Sequence, residues 1–202
     1  MQPRQGTLVL AAATFASVRS ANRAARVAER SLLESVRPLL MPSRLGDPPQ
    51  KITFVDGKWM NVPGGRAAAE ANDEAVYFAI PLRNVGAGIA VLHGWRFYPE
   101  RVLGNGEQAP NLDEFTPLTR DLYVPAQDQA YWQGAFRHPE SPEFQAAKAS
   151  VEAHEALTVD VLYGDREGGQ RMVSRFGLLP RDDGGWMAAS SRHWNIDRED
   201  PR

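Results

Sequence analysis

The side chains able to do chemistry in this chain are scattered rather than clustered. His93, His138, His154 and His193 form no His-x-His or His-x3-His pair, so no local metal-ligand spacing is present. His154 lies beside Glu152 and Glu155 on an expected helix, which lacks the second histidine of a zincin helix. Gly86 and Gly88 lack the third glycine and the following helix of a dinucleotide-binding turn. Residues 164–169 (GDREGG) lack the Gly-Lys-Ser/Thr ending of a phosphate loop and read as a hairpin tip. There is no Gly-x-Ser-x-Gly nucleophile elbow. Asp160 and Asp165 are two carboxylates near one strand, but Asp160 alternates with Val159 and Val161, which marks it for a solvent face. No catalytic, metal-binding or cofactor-binding residue is assigned on these grounds, and no cofactor is expected.

One grouping could bind something. His93 and Trp95 stand two apart, so a regular strand turns both to the same face. With Arg83 they make a possible exposed binding patch. Trp59, Trp95, Trp132, Trp186 and Trp194 could form a ligand shelf, although aromatics in a sandwich more often fill the core.

The elements that must carry these residues are legible from residue 50 onward. Lys51–Val55 and Lys58–Val62 flank Asp56-Gly57, a strong hairpin signal. In Ala75–Val85 the apolar Val76, Phe78, Ile80 and Leu82 alternate, and Pro81 suggests an edge strand or a bulge. Further strands are expected at Ile89–Phe97, Asp121–Val124, Ala130–Phe136, Leu157–Tyr163, Gln170–Leu178 and Trp186–Ser190. Ser141-Pro142-Glu143 is an N-cap, a first-turn proline and an early acid, opening one short helix that runs to Glu155. Short strands with frequent turns predict a mainly β fold, an antiparallel immunoglobulin-like β-sandwich with one short inserted helix.

The first forty residues differ. An apolar run, Thr7–Val18, passes directly into an arginine-studded segment patterned as a helix by Val27, Leu32, Leu33, Val36 and Leu40. Arg23, Arg26 and Arg30 share a stripe. Pro42 and Asp47-Pro48-Pro49 stop the helix. Twelve apolar residues are too few to span a bilayer, which takes about 20. Three readings stay open: a transmembrane helix truncated at its start, a signal peptide, and an alanine-rich packing helix. The division expected is a helix and basic stalk at 1–44, a β-sandwich at 45–195 and a disordered tail at 196–202, with fraying from Arg192.

Charge supports that division. Residues 1–44 hold seven Arg against two Glu, while the remainder holds 16 basic against 23 acidic residues. The acidic body argues against nucleic acid as a partner. The basic arm suits an anionic membrane surface, and by the positive-inside rule the domain after it is cytoplasmic. The chain has no cysteine, which excludes disulfides, thiolate metal sites and a cysteine nucleophile.

The stretch Leu82-Arg83-Asn84-Val85-Gly86-Ala87-Gly88-Ile89-Ala90 resembles the Asn-x-Gly-x-Gly-x-Ala strand signature of bacterial immunoglobulin-like sandwiches. With Arg37-Pro38 after an apolar helix, the layout resembles uncharacterised bacterial single-pass membrane proteins that carry a helix, a stalk and a small sandwich. The resemblance implies a fold and a tether and no site residues. The function expected is therefore a membrane-tethered, non-enzymatic interaction or scaffold module with an unknown protein partner. The alternatives are a soluble small-ligand enzyme, such as an FMN-binding split β-barrel protein, and an exported sandwich that binds carbohydrate or peptide.

Overall fold

The structure is a computed structural model that describes residues 4–103 and 108–198, with side chains from Thr14 onward. The chain divides into two units, Met1–Val36 and Arg37–Arg202. The first is one helix, α1 (Arg4–Ser35). From Thr14 to Val36 every residue except the half-buried Leu33 is exposed, Phe15, Val18, Val27 and Leu32 among them. Among the described residues no helix is long and apolar enough to cross a membrane.

The second unit is mainly β and antiparallel. Its strands are β1 (Leu40–Pro42), β2 (Gln50–Thr53), β3 (Trp59–Val62), β4 (Arg66–Ala71), β5 (Val76–Asn84), β6 (Ala90–Tyr98), β7 (Thr116–Val124), β8 (Gln129–Phe136), β9 (Leu157–Gly164), β10 (Met172–Pro180) and β11 (Trp186–Asn195). A single helix, α2 (Pro142–Glu152), lies between β8 and β9. One curled sheet runs β5-β4-β11-β10-β9-β6-β7, with β1 sharing the β4 side of β5 and β8 on its other side. The β2–β3 hairpin is separate.

Two apolar layers result from the period-2 alternation of β5. Val76, Phe78, Ile80 and Leu82 enter the main core with Trp95, Trp132, Val159, Val161 and Phe176. Tyr77 and Ala79, on the opposite face, pack under Ile52, Phe54 and Met60 of the β2–β3 hairpin. The hairpin forms as the sequence predicts, with Gly57 at φ 83°, a left-handed conformation that costs glycine nothing. Ser141 caps α2, its Oγ accepting from the Phe144 N–H at 3.2 Å, and Phe144 and Ala147 seal one end of the core.

Three expectations need correction, and one strand is unanticipated. Pro81 is on an interior strand rather than an edge: β4 pairs with residues 76–79 of β5 and β1 with 82–84, and just beyond that register the Pro81 carbonyl accepts from the Ser43 N–H at 2.9 Å. Having no N–H, the proline cannot donate a bond in return. Helical geometry stops at Ser35, and Leu40, expected on the helix, is a buried β1 residue. The alanine-rich β4 (RAAAEA) carried no strand signal; only its position between β5 and β11 makes it one. Arg192–Asn195 does not fray but completes β11, with Trp194 buried. Of the expected tail, Ile196 and Asp197 are hydrogen-bonded to Arg171, and 199–202 lie outside the described residues.

The Asn-x-Gly-x-Gly stretch acts as a clasp. Buried Asn84 accepts from the Leu39 and Gly86 N–H groups, both at 3.0 Å. Its amide donates to the Gly88 and Val124 carbonyls at 2.6 and 3.1 Å. A Cβ on Gly86 would lie 2.3 Å from the Arg37 carbonyl oxygen, so only glycine lets the chain at 37–39 pass this close. The segment leading into the domain is thereby fixed to β5 and to the end of β7.

Candidate functional site

The three residues of the possible patch are placed apart. A register shift between Leu92 and Gly94 interrupts β6. It turns His93 outward and Trp95 inward, so the pair no longer shares a face. Trp95 packs edge-on to Trp132 with ring centroids 5.4 Å apart. His93 is at the surface with its ring lying against Gly164; this partial desolvation, aided by Arg171 and opposed by Asp121, lowers its pKa. Arg83, on β5, is bound to Asp47 at 2.6 Å. That hydrogen bond holds the Asp47 carboxyl below the usual carboxylate range. Of the five tryptophans, four are buried and Trp59 is exposed beside Lys51.

Asp160 is the second correction of site chemistry. The strand face it occupies is covered, and Asp160 is fully buried. The Arg175 guanidinium grips it from the neighbouring strand with two hydrogen bonds of 2.7 and 2.8 Å. The Tyr98 hydroxyl donates to it at 3.0 Å. Burial, with Asp160 alongside, pushes the Tyr98 pKa up to about 12. Around this centre arginines and aromatic rings from β6, β10 and β11 alternate in the order Arg96, Tyr98, Arg175, Trp194, Arg192, with 4.7 to 5.2 Å from each cation to each neighbouring ring centroid. Arg96 is also ion-paired with Glu114. The chain after β6 folds back over this face, and the Val102 N–H donates to Thr158 at 2.9 Å. Asp165 is likewise buried, accepting from Gly169 and Gln170 in the β9–β10 turn. Ser174 approaches His193 Nδ1 at 2.6 Å and the Tyr163 hydroxyl at 2.9 Å, but Ser174 and Tyr163 are fully buried, so the group is a structural chain and no nucleophile. Among the described residues, no three His, Cys, Asp or Glu side chains are placed to hold a metal ion.

The open surface lies elsewhere, between β7 and β8. Among the described strands β7 bonds only to β6, and β8 only to β5. The two are joined by residues 125–128 yet form no ladder together. Between them is a hollow of about 110 Å3, whose lining includes Trp95, Leu122, Phe54 and Val55, with Arg120 and Arg137 among its polar groups. Across Trp95 and Thr116 lies a second hollow of about 400 Å3, lined by Phe97, Phe136, Pro99 and Pro142. That volume is within the range of small-ligand and side-chain pockets. Arg137 is paired with Asp56 at 3.0 Å, which the Tyr77 hydroxyl also reaches at 2.8 Å. Arg120 donates to the neutral Thr53 carbonyl at 3.3 Å. Gln133, with its amide oriented to satisfy its neighbours, accepts from Arg120 at 2.7 Å. The sequence signals this strand only from Asp121, so Arg120 falls outside any expected element.

No family model matches the chain, and no curated protein matches it. Two solved structures are similar over much of its length. One is the structural-genomics target SoR45, with 10% identity over 80% of this chain and 84% of that one, at a TM-score of 0.23. The other is the putative ApaA protein from Bordetella pertussis, with 8% identity over 77% of this chain and 96% of that one, also at 0.23. Neither likeness carries an argument about fold or function at those scores.

Proposed function

We propose that the chain is an immunoglobulin-like sandwich held at the cytoplasmic face of a membrane by its N-terminal helix, where it acts as an interaction or scaffold module. The observation that carries this reading is the state of α1. Phe15, Val18, Val27 and Leu32 are exposed on a 32-residue helix, while the chain that follows is clasped to the domain at Leu39 by Asn84. A helix with unburied apolar side chains is stabilised by a partner surface. The apolar run Thr7–Val18 suits acyl chains, and Arg19, Arg23, Arg26 and Arg30 at three- and four-residue spacing suit anionic headgroups.

The strand orders support the sandwich. Strands β1-β5-β8 and β7-β6-β9-β10 follow the A-B-E and C′-C-F-G orders of immunoglobulin-like domains, with β4 and β11 joining the two groups. The buried placement of Asp160, Asp165 and Ser174 takes the chemically capable side chains out of reach of a substrate, which favours recognition over catalysis.

Flotation of the full chain with vesicles tests the tether. The chain is expected to float with vesicles containing phosphatidylglycerol and to lose that binding when all four arginines are replaced by glutamine. A protein that stays in the soluble fraction, both with such vesicles and in bacterial lysate, overturns the reading.

A further inference from the structure

We propose that the slot between β7 and β8 receives an extended strand from a partner protein, one that alternates apolar residues, carries an acidic residue and pairs with the free edge of β8. The inference rests on the reading of the domain as an interaction module and supplies its partner class.

The β8 edge is the first reason. An antiparallel ladder uses the N–H and C=O groups of alternate residues, so the partnership with β5 leaves every second residue of β8 with its backbone groups turned to the slot. Proteins guard such edges with charge, proline or bulges. Gln129–Phe136 (QAYWQGAF) has no charged residue and no proline over eight positions. β7 is guarded in all three ways: by Pro117, by Arg120 and Asp121, and by the register break opposite it. The asymmetry makes β8 the acceptor and β7 the wall.

Space is the second reason. Gly94 pairs with Pro117 and Leu92 with Leu122, so residues 118–121 leave the ladder with β6. Leu118, Thr119 and Arg120 of this stretch line the hollow together with Trp95. An added strand sends alternate side chains to opposite faces, one row toward Trp95 and Leu122 and the other toward Val55 and Arg120. The second hollow, beyond Thr116, offers aromatic and proline surface to a residue further along the same strand.

Charge fixes the third feature of the occupant. Arg137 already has Asp56, whereas among the described residues no carboxylate pairs with Arg120, whose partners are the neutral Thr53 and Gln133. A carboxylate on the incoming strand completes it.

Selection of a displayed library of random twelve-residue peptides on the immobilised full chain tests the slot. Enriched peptides are expected to alternate apolar residues and to include Asp or Glu. Once synthesised, they should slow amide exchange across Gln129–Phe136. Arg120→Glu should weaken them by about tenfold or more, with Arg120→Gln intermediate and Arg66→Glu without effect. N-methylation of alternate peptide amides should abolish binding, because a strand needs its backbone donors. The proposal is overturned if no peptide enriches, or if enriched peptides tolerate Arg120→Glu or N-methylation. Vesicle flotation reads α1 alone, so a chain that floats but selects no strand keeps its tether and loses the slot, and a chain that selects strands but does not float keeps the slot and loses the tether.

Discussion

Arg175 on β10 and Arg120 on β7 belong to the same curled sheet and are used in opposite ways. Arg175 is buried, bound twice to Asp160 and sandwiched between Tyr98 and Trp194. Arg120 is exposed and, among the described residues, is held by neutral oxygens. A buried ion pair gains Coulomb energy at a desolvation cost that is nearly offset only when every group is satisfied. Such a pair adds little net stability and makes the removal of either partner costly. An exposed arginine without a carboxylate adds little to the fold and keeps its charge for something outside it. The contrast separates a structural centre from a recognition edge by partnership and burial rather than by residue type.

The largest effect that tests this contrast is at the buried centre. Asp160→Ala leaves the Arg175 guanidinium buried without its carboxylate and is expected to cost about 3–5 kcal/mol in urea unfolding. The double variant Asp160→Leu with Arg175→Met should recover most of that loss, since an apolar pair of similar volume is often neutral. If Asp160→Ala costs under about 1 kcal/mol, the pair is not the closed structural centre described here.

Next in size is the clasp. Asn84→Ala removes four hydrogen bonds, two of them to N–H groups that then lack acceptors, for an expected loss of about 2–4 kcal/mol. Gly86→Ala forces a Cβ against the Arg37 carbonyl. Amide exchange at Leu39 and Leu40 should rise in both variants more than exchange in β9 or β10. An equal rise everywhere would make Asn84 an ordinary core residue rather than the lock on the entering segment.

A smaller effect follows from pH. Hydrogen bonds from Arg83 and Arg171 hold Asp47 and Asp197 below the usual carboxylate range. Burial raises Asp56, but its bonds from Tyr77 and Arg137 outweigh that and lower it as well. Each has a folded pKa below its unfolded value, so the unfolded chain binds more protons at low pH. Their stabilisation is present above about pH 4 and lost as pH falls through the lower folded values. The lowered pKa of His93 has the same sign and acts earlier, below about pH 6.5. The melting temperature should therefore decline gently under that pH and steeply under pH 4, and His93→Gln should remove only the gentle part.

Sequence and structure agree where local chemistry decides the outcome. Asp56-Gly57, the alternation of β5 and the Ser141-Pro142 cap each fix an element from within. They part where a neighbour decides. β4 is a strand because β5 and β11 flank it, and β1 because Asn84 holds the chain beside it. The bulge at His93 separates it from Trp95, and no residue type there announces an extra residue. The buried ion pair was within reach: Asp160 and Arg175 stand opposite each other when counted outward from the Gly164–Gly169 turn. Opposite charges at matching positions of two apolar strands are a stronger sign of a buried pair than of a solvent face. Arg120 had no such mark, because its meaning comes from two strands that fail to pair.

The smallest expected change is at Arg120 itself, and its smallness is informative. Arg120→Glu removes no ion pair within the described residues and alters an exposed side chain, so unfolding free energy should move by no more than about 0.5 kcal/mol. Its bonds to Thr53 and Gln133 are to neutral groups at the surface, where water replaces them. A loss near that of Asp160→Ala would show that Arg120 binds β7 to the β2–β3 hairpin as part of the fold, and the distinction between centre and edge would collapse. A near-neutral variant leaves an arginine that the fold does not need, beside an uncharged strand edge that the fold does not close.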